Sequence, residues 1–240
     1  TTYVMEFQTA HRKRAKIKMA IQGHSGSGKT YSALLVAHGL CQSWEKVAVI
    51  DTENESSHLY AHLGGYKVLG ISAPFEPEKY IEAIDFCVAS GIEVVVIDSI
   101  THEWECLLDY HGSLSGNSFT NWNKVTPRHN SFVQKILQAP VHIIATVRTK
   151  QDYVLTEKNG KTIPEKVGLK SVQRDGLDYE FTLVFDLDNK NLAHASKDRT
   201  GLFFGKPEHR LSASTGNIIS KWCMEELEPQ IDYVKDRINN

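Results

Sequence analysis

The sequence has few cysteines and no long apolar segment. The four cysteines among its 240 residues form no CxxC pair, which argues against a cysteine-ligated zinc site or a disulfide framework and for reduced thiols. No apolar run approaches the ~20 residues that span a bilayer, and the first residues carry no apolar core of a signal peptide. We therefore expect a cytoplasmic protein with no membrane partner.

The chain also lacks an excess of charge of either sign. With 27 Lys and Arg against 29 Asp and Glu, the formal net charge is −2, so a polyanion could be held only by a local basic patch. Hydrophobic residues make up 41% of the chain, which is ordinary for a globular protein and does not indicate disorder. The length suits one large domain with a well-buried core.

Five short apolar runs alternate with stretches of helical periodicity. Continuous rather than alternating hydrophobicity is typical of strands buried on both faces of a parallel sheet. The pattern predicts an α/β fold with a mostly parallel twisted sheet flanked by helices. The predicted strands cover residues 16–22, 46–51, 67–72, 92–98 and 141–147.

The pattern changes after Gln173. Three strand-like runs, DYEFTLVFDLD, NLAHASKDR and GLFFGKPEHRLS, follow one another closely. They predict antiparallel strands at the C-terminal edge of the sheet. A final helix is predicted from about Asn217 to Ile238.

Two segments fit neither the helical nor the strand pattern. Residues 111–121 and 148–176 are expected to be long loops, which in a compact domain are usually functional or disordered. The pair Asn159-Gly160 could turn a small hairpin inside the second one.

The segment GHSGSGKT, residues 23–30, fits the pattern GxxxxGK[ST]. A buried strand is predicted directly before it and a helix directly after it, so backbone N–H groups and the helix N-terminus can face phosphate groups. Lys29 would reach the β- and γ-phosphates of ATP, and the Thr30 hydroxyl would bind Mg²⁺. The alternative is a glycine-rich turn without a ligand. The predicted nucleotide-binding residues are Gly23, His24, Ser25, Gly26, Ser27, Gly28, Lys29 and Thr30.

Carboxylates follow two of the predicted strands. Asp98 ends the apolar run VVVID and is the predicted second Mg²⁺ ligand, with capping of the next helix as the competing role. ATP hydrolysis also needs a group that orients or deprotonates water, and Ser99 stands where many P-loop ATPases carry a glutamate. The candidates for this base are Glu53, in VAVIDTENE, and, as the alternative, Glu55. Both could also be loop carboxylates without a catalytic role.

These segments together resemble the core of RecA and Rad-type recombinases. The resemblance rests on IDTE after the second strand, VVVIDS at the metal strand and the lack of a glutamate beside Asp98. It implies that Glu53 is the catalytic base. SKDRTG, residues 196–201, is similar to the KxR element of DnaB-like and KaiC-like members, which implies that Lys197 and Arg199 act in a neighbouring subunit's site. The alternative is a charged β-turn with exposed side chains.

Nearly the whole chain resembles the short phage-encoded RecA-core ATPases of the single-strand annealing type. The matching segments beyond the P-loop are FQTAHRKRAKIKMAIQG, VVVIDSITHEW, KVGLKSVQRDGLDYEF and SKDRTGLF. The chain departs from the recombinases at Thr146, near the position where they often carry a glutamine sensor.

The N-terminal segment FQTA resembles the FxxA element by which Rad-type recombinases dock onto an adjacent core. Its two defining residues here are Phe7 and Ala10. The resemblance implies an N-terminal oligomerisation arm, residues 1–15, followed by a RecA-like ATPase core, residues 16–240. It also implies that the active form is a ring or a filament.

A local excess of basic residues lies between Arg148 and Arg174, with seven Lys and Arg against three Asp and Glu. Such a segment suits a phosphate backbone, and Tyr153 could stack on a base. The alternative is a solvated charged loop. The predicted DNA-binding residues are Arg148, Lys150, Tyr153, Lys158, Lys161, Lys166, Lys170 and Arg174.

Some aromatic residues are assigned to the predicted DNA interface and others to packing in the protein interior or at an interface. In RecA-like assemblies two loops line a central channel, and residues 111–121, with Phe119 and Trp122 near the end, resemble the first of them. Trp44, Trp104 and Trp222 are assigned to packing in the core or an interface.

The sequence therefore predicts a Mg²⁺-dependent ATPase that binds single-stranded DNA and promotes annealing or homologous recombination as an oligomer, together with a single-strand-binding protein. Two alternatives stay open. A KaiC-like ATPase that regulates a protein assembly would bind no DNA, and a P-loop kinase would use the basic segment as a lid over a small acceptor. The KxR element and the paired loops favour the first function over the kinase, and only the family resemblance favours it over the regulatory ATPase.

Overall fold

The computed structural model describes residues 15–158 and 161–225. Within this part of the chain, eight strands form one sheet. β2 and β4 are buried along their whole length, as expected for Val- and Ile-rich strands that helices cover on both faces. The strands are β1 (Lys18–Gly23), β2 (Val47–Asp51), β3 (Lys67–Gly70), β4 (Val94–Asp98), β5 (His142–Lys158), β6 (Lys161–Ser171), β7 (Leu183–Leu187) and β8 (Ala193–Asp198).

The strands follow the order β3-β2-β4-β5-β1-β7-β8, with β6 paired to β5. The pairs among β1, β2, β3, β4, β5 and β7 are parallel, whereas β6 and β8 run antiparallel to their partners. This confirms the predicted mostly parallel sheet with antiparallel strands at its edge. Because the carboxyl ends of parallel strands share one edge, the segments that follow β1, β2, β4 and β5 meet there.

The C-terminal strands differ from the prediction in two details. β7 is parallel to β1 rather than antiparallel, and the third predicted strand, GLFFGKPEHRLS, is a bent segment whose pairing is an isolated bridge between Ala193 and His209. The Asp198 carboxylate accepts hydrogen bonds from the backbone N–H groups of Phe203 and Phe204. These bonds hold the segment in a turn, so it cannot extend as a strand.

Helices cover both faces of the sheet, with α1 and α5 on one face and α2 and α4 on the other. α1 and α5 pack so closely that a Cβ on Gly39 would lie 2.1 Å from the Ala213 carbonyl oxygen, and one on Gly216 would lie 2.2 Å from that of Val36. Only glycine fits at these two positions. The helices are α1 (Lys29–Cys41), α2 (Pro77–Ala89), α3 (Thr101–Ser113), α4 (Ser118–Gln138) and α5 (Ala213–Met224).

The first predicted loop, residues 111–121, is mostly helix. It contains the end of α3 and the start of α4, which only residues 114–117 connect. The Asn117 side chain caps α4 by accepting the Phe119 N–H at 2.8 Å. The loop prediction was wrong because glycine, serine and asparagine residues are also found at helix ends.

The second predicted loop, residues 148–176, is mainly a long β-hairpin. β5 continues beyond the sheet and pairs with β6 from Thr149 opposite Ser171 to Lys158 opposite Lys161. The two turn residues, 159 and 160, lie outside the described residues. Lys158 and Lys161 on either side of them are paired antiparallel, as expected for a hairpin that turns at the Asn159-Gly160 pair. Frequent charged residues in both strands obscured their alternation and indicated a loop.

The C-terminal helix α5 begins earlier than the predicted Asn217, because Ser212 and Thr215 form a capping box. Residues after 225 lie outside the described part of the chain. Trp222 on this helix and Trp44 before β2 pack against the core, as predicted. In the described ranges, no helix has the length and apolar character needed to cross a membrane.

Candidate active site

The loop between β1 and α1 forms a narrow cradle. Gly26 and Gly28 have positive φ angles of 81° and 83°, which glycine adopts readily. A Cβ on Gly23 would lie 2.4 Å from the Ser27 hydroxyl oxygen, so a side chain there would close the loop. The Ser27 hydroxyl and the His24 Nδ1 atom are buried, and no group in the described residues bonds to them. The cradle therefore fits a compact group rich in oxygen atoms, such as a phosphate.

Lys29, the first residue of α1, lies over this cradle. Its ammonium group donates a hydrogen bond to the His24 carbonyl at 2.8 Å. Burial lowers the pKa of Lys29, and the nearby Asp98 and Glu53 carboxylates oppose that effect. The ammonium group is thus held where a phosphate oxygen of a nucleotide could accept a hydrogen bond from it.

Thr30 and Asp98 meet at the edge of the sheet. The Thr30 hydroxyl donates to the Asp98 carboxylate at 2.6 Å, and the Thr146 hydroxyl donates to its other oxygen. Burial raises the pKa of Asp98, and the bonds from Thr146 and Thr30 act against that rise. A hydroxyl and one carboxylate beside a phosphate cradle fit Mg²⁺, which prefers oxygen ligands and keeps several waters. In the described residues no three His, Cys, Asp or Glu side chains cluster as a metal cage.

Glu53 is held at the same edge by the turn that follows β2. The Asp51 carboxylate accepts the Glu53 N–H at 2.7 Å and the Ser57 N–H at 2.9 Å, which fixes this turn. The Glu53 carboxylate in turn accepts the Ser99 hydroxyl at 3.0 Å. Glu55 is exposed. The structure therefore favours Glu53 over Glu55 as the catalytic base.

Arg148 lies at the active site, although the sequence indicated a DNA contact. Its Nε atom donates to the Glu53 carboxylate at 2.9 Å, and its Nη2 atom donates to the other carboxylate oxygen. This two-pronged geometry is the strongest arrangement for an arginine and a carboxylate. The prediction treated the basic segment as one unit, whereas its first residue still belongs to the sheet.

His102 and Thr52 complete the surroundings of Glu53, and the sequence did not point to either. The Thr52 hydroxyl is 2.8 Å from the His102 Nδ1 atom and accepts the Ser99 N–H at 2.9 Å. The His102 Nε2 atom is 3.9 Å from the Glu53 carboxylate. This network ties the end of β2 to the end of β4 and keeps Glu53 near the proposed metal site.

Asn191 is a further residue that the sequence did not indicate. It lies in the turn between β7 and β8, and its side-chain amide donates to the Ser27 carbonyl at 2.8 Å. A Cβ on Gly28 would lie 3.0 Å from the same amide nitrogen. Asn191 therefore supports the phosphate cradle from the side. A lone asparagine in a turn carries no motif that could have identified it.

Lys197 and Arg199, which the resemblance assigns to a neighbouring subunit's site, lie far from the cradle of their own chain. Asp198, between them, is opposite Leu183 at the start of β7, whereas Gly23, the first residue of the cradle, is opposite Leu187 at the end of that strand. These positions are about 13 Å apart at 3.3 Å per residue. The two residues therefore lie at the other end of the parallel strands from the cradle of their own chain.

Asp198 orders the turn that presents Arg199. Its carboxylate accepts the N–H groups of Thr200, Gly201, Phe203 and Phe204 at 2.7 to 3.1 Å. Burial raises the pKa of this carboxyl, but a hydrogen bond from the Thr200 hydroxyl, together with the backbone bonds, outweighs burial and lowers the pKa overall. These hydrogen bonds hold the turn in one conformation, and the Arg199 side chain on it is exposed.

Replacing Asp198 with asparagine is expected to lower the free energy of unfolding at pH 7 by about 1–3 kcal/mol, since charge-assisted hydrogen bonds are lost. Because the folded-state pKa is lowered, the ionised carboxylate stabilises the fold above the ordinary value of 3.8 and this contribution is lost as the pH falls through the folded-state pKa. The difference from wild type in thermal unfolding should therefore shrink in acid. Asp109→Asn, an exposed change on α3, serves as the control, and a difference that is constant with pH would contradict this account.

The other predicted DNA-binding residues lie on or just after the hairpin. Lys150 and Lys170 are opposite each other at its base, and Arg174 follows β6. The side chains of residues 151–169 lie outside the described part of the chain, and these include the predicted Tyr153, Lys158, Lys161 and Lys166. Phe7, Ala10 and the N-terminal arm also lie outside the described residues.

Comparison with known proteins identifies the class. Residues 15–211 match the AAA_24 family, described as an AAA domain. The chain therefore belongs to this AAA domain family and is a P-loop NTPase. The family implies use of a nucleotide, typically with Mg²⁺, which agrees with the residues at the sheet edge. No curated protein is significantly similar to the chain.

Proposed function

We propose that the protein is a Mg²⁺-dependent ATPase that binds single-stranded DNA and promotes strand annealing or recombination as an oligomer, together with a single-strand-binding protein. The AAA domain family supports an ATPase in general, and the resemblance to phage annealing ATPases supports the DNA substrate. The observation that carries the proposal is the path of β5. This strand passes the active site, places Arg148 on the candidate base Glu53, and continues directly into the basic hairpin.

The phosphate groups of ATP would bind in the cradle. α1 begins at Lys29, directly after the loop, so its first backbone N–H groups, which have no partner within the helix, could bond to phosphate oxygens. The Lys29 ammonium group would exchange its bond to the His24 carbonyl for a phosphate oxygen. Thr30 and Asp98 would hold Mg²⁺, which supplies positive charge next to the phosphate oxygens. Asn191 would keep the cradle in shape by its bond to Ser27.

Glu53 would accept the proton of the attacking water. The carboxylate is anchored by hydrogen bonds from Arg148 and from Ser99, the residue after Asp98. Orientation matters because a general base must lie within hydrogen-bond distance of the proton it removes. In an oligomer, Arg199 and Lys197 of a neighbouring copy would stabilise the charge that develops on the γ-phosphate.

Removing the Arg148 side chain is expected to uncouple DNA binding from hydrolysis. Arg148 connects the base of the hairpin to Glu53 through two hydrogen bonds, so Arg148→Ala should bring the ratio of turnover with and without single-stranded DNA close to one. The ratio is measured from steady-state ATP hydrolysis at saturating ATP. Arg210→Ala, an exposed change elsewhere on the surface, should keep the wild-type ratio. A wild-type ratio in Arg148→Ala would show that the hairpin does not act through this pair.

Annealing can be tested with two complementary oligonucleotides that carry a fluorophore and a quencher. The protein should raise the annealing rate above the spontaneous rate. Lys158→Glu combined with Lys161→Glu, at the end of the hairpin, should reduce this rate because phosphate contacts are lost. Lys67→Glu combined with Lys221→Glu makes the same change of charge at exposed positions elsewhere and should have little effect. If the annealing rate with wild-type protein equalled the rate without protein, annealing would have to be removed from the proposed function.

A further inference from the structure

A groove of about 540 Å³ lies between α3, α4 and the base of the hairpin. Its residues are distinct from those of the nucleotide cradle. One wall is formed by Trp104 and Leu108 of α3 and Trp122 of α4, and the other by Lys150, Lys170 and the segment that ends at Asp175.

The two tryptophans are held in a fixed arrangement. Their ring planes are 21° apart with centroids at 6.0 Å, and His111 stacks on Trp122 with centroids at 4.2 Å. Behind them, the buried His129 side chain contacts the edge of Trp104 and bonds to the buried Glu103 carboxylate at 3.1 Å. Both indoles remain half-buried and belong to neither core cluster of the sheet. They are therefore a rigid, partly exposed aromatic wall.

Positive charge surrounds this aromatic wall. Lys150, Lys170 and Arg174 line the groove, against the single carboxylate of Asp175, which forms an ion pair with Lys170 at 3.1 Å. Such a groove favours a ligand with flat rings and negative charge. Nucleic-acid bases joined by phosphates have this chemistry.

The polar side chains of the groove are already engaged within the protein. The Gln173 amide donates to the Ile100 carbonyl at 2.9 Å and accepts the Arg174 N–H at 2.7 Å. The Ser171 hydroxyl donates to Gln22 at 2.8 Å. Few groups are left to bond to base edges, so recognition by stacking and charge, without sequence preference, is the mode that fits.

We propose that this groove is the base-stacking site for single-stranded DNA. Bases pack against Trp104 and Trp122, and their phosphates contact Lys150, Lys170 and Arg174. The inference rests on the proposed function and gives it a specific binding surface. The assignment of Trp104 to core or interface packing is revised accordingly: its ring is held by neighbours in α3 and α4 but faces a groove.

Intrinsic tryptophan fluorescence tests this site directly. In the variant Trp44→Phe/Trp222→Phe the remaining tryptophans are Trp104 and Trp122, so emission reports on the groove. Titration with a thymidine oligonucleotide should quench this emission, whereas an abasic oligonucleotide of the same length should bind through its phosphates and quench much less. Oligonucleotides of thymidine and of cytidine should bind with affinities within a few-fold.

Affinity measurements on groove variants complete the test. Trp104→Ala and Trp122→Ala should each weaken thymidine-oligonucleotide binding by about 10-fold, as expected for loss of one stacked base, while Trp122→Phe keeps most of the affinity. Phe86→Ala, an exposed aromatic on α2, is the matched control. Fluorescence anisotropy gives the affinity, and thermal unfolding verifies that each variant is folded.

The outcomes separate this inference from the proposed function. If the oligonucleotide binds but neither quenches the groove tryptophans nor depends on them, the groove assignment is wrong and the DNA-binding function stands. If the wild-type protein binds no oligonucleotide at low salt, both the groove and the proposed function fail.

Discussion

Replacing Arg199 with alanine is expected to lower steady-state ATP hydrolysis by about 10³-fold, in the range known for arginine fingers, with little change in nucleotide affinity. The reason is the position of the residue. Arg199 lies on an ordered turn at the other end of the parallel strands from its own cradle, so under the proposed function it would contribute charge to the site of a neighbouring copy. Turnover and binding of a fluorescent nucleotide analogue are measured on the same preparation.

A mixing experiment tests the action in a neighbouring site. Lys29→Ala disables the nucleotide cradle but leaves Arg199 intact. Arg199→Ala removes the arginine but leaves the cradle intact. Equal amounts of the two inactive variants should recover part of the activity, because Arg199 of one variant completes the cradle of the other. Lys206→Ala, an exposed basic residue near the same turn, is the control for charge and should stay active. Full activity of Arg199→Ala, or no recovery in the mixture, would rule out the assigned role.

Replacing Glu53 with glutamine is expected to lower the turnover number by about 10²–10⁴-fold, the usual contribution of a general base. The amide has the shape of the carboxylate and can still accept a bond from Ser99 or Arg148, but it cannot take a proton from water. Nucleotide affinity should therefore stay within a few-fold of wild type. Rapid-quench kinetics at saturating ATP measures the chemical step.

Glu55→Gln is the matched control for this change, since Glu55 is two residues away and exposed. It should retain nearly all activity. If Glu55→Gln were inactive and Glu53→Gln active, Glu55 would be the general base. The Arg148–Glu53 ion pair would then not serve to position the base.

The sequence allowed prediction of those site residues that follow directly from strand ends. Gly23 to Thr30, Asp98 and Glu53 lie at or just after the end of a short apolar strand, and parallel strands place such positions at one edge of a sheet. The continuous hydrophobicity of β2 and β4 likewise predicted a buried, mostly parallel sheet.

Other parts of the site depend on contacts between residues far apart in the chain. Arg148 is 95 residues from Glu53, and Asn191 is 164 residues from Ser27. No local pattern encodes such pairs, and a single arginine or asparagine is common in any sequence. Only a small hairpin at Asn159-Gly160 was predicted, whereas β5 and β6 pair from Thr149 to Ser171. Its length was missed because its strands leave the sheet and carry charges at many positions, so the alternation that marks a half-buried strand is weak.

The aromatic groove shows the same limitation. Trp104 and Trp122 lie on different helices, and the spacing of each within its helix is also that of a packing residue. Only the crossing of α3 and α4 brings their rings together beside the base of the hairpin.

The most direct test of the account is steady-state ATP hydrolysis with and without a long single-stranded oligonucleotide, at low and at moderate salt. If the proposed function is correct, DNA raises the turnover and the increase becomes smaller with salt, because basic side chains then contact phosphates. A basal rate that neither DNA nor salt changes would rule out the DNA-binding function and indicate an ATPase that regulates a protein assembly.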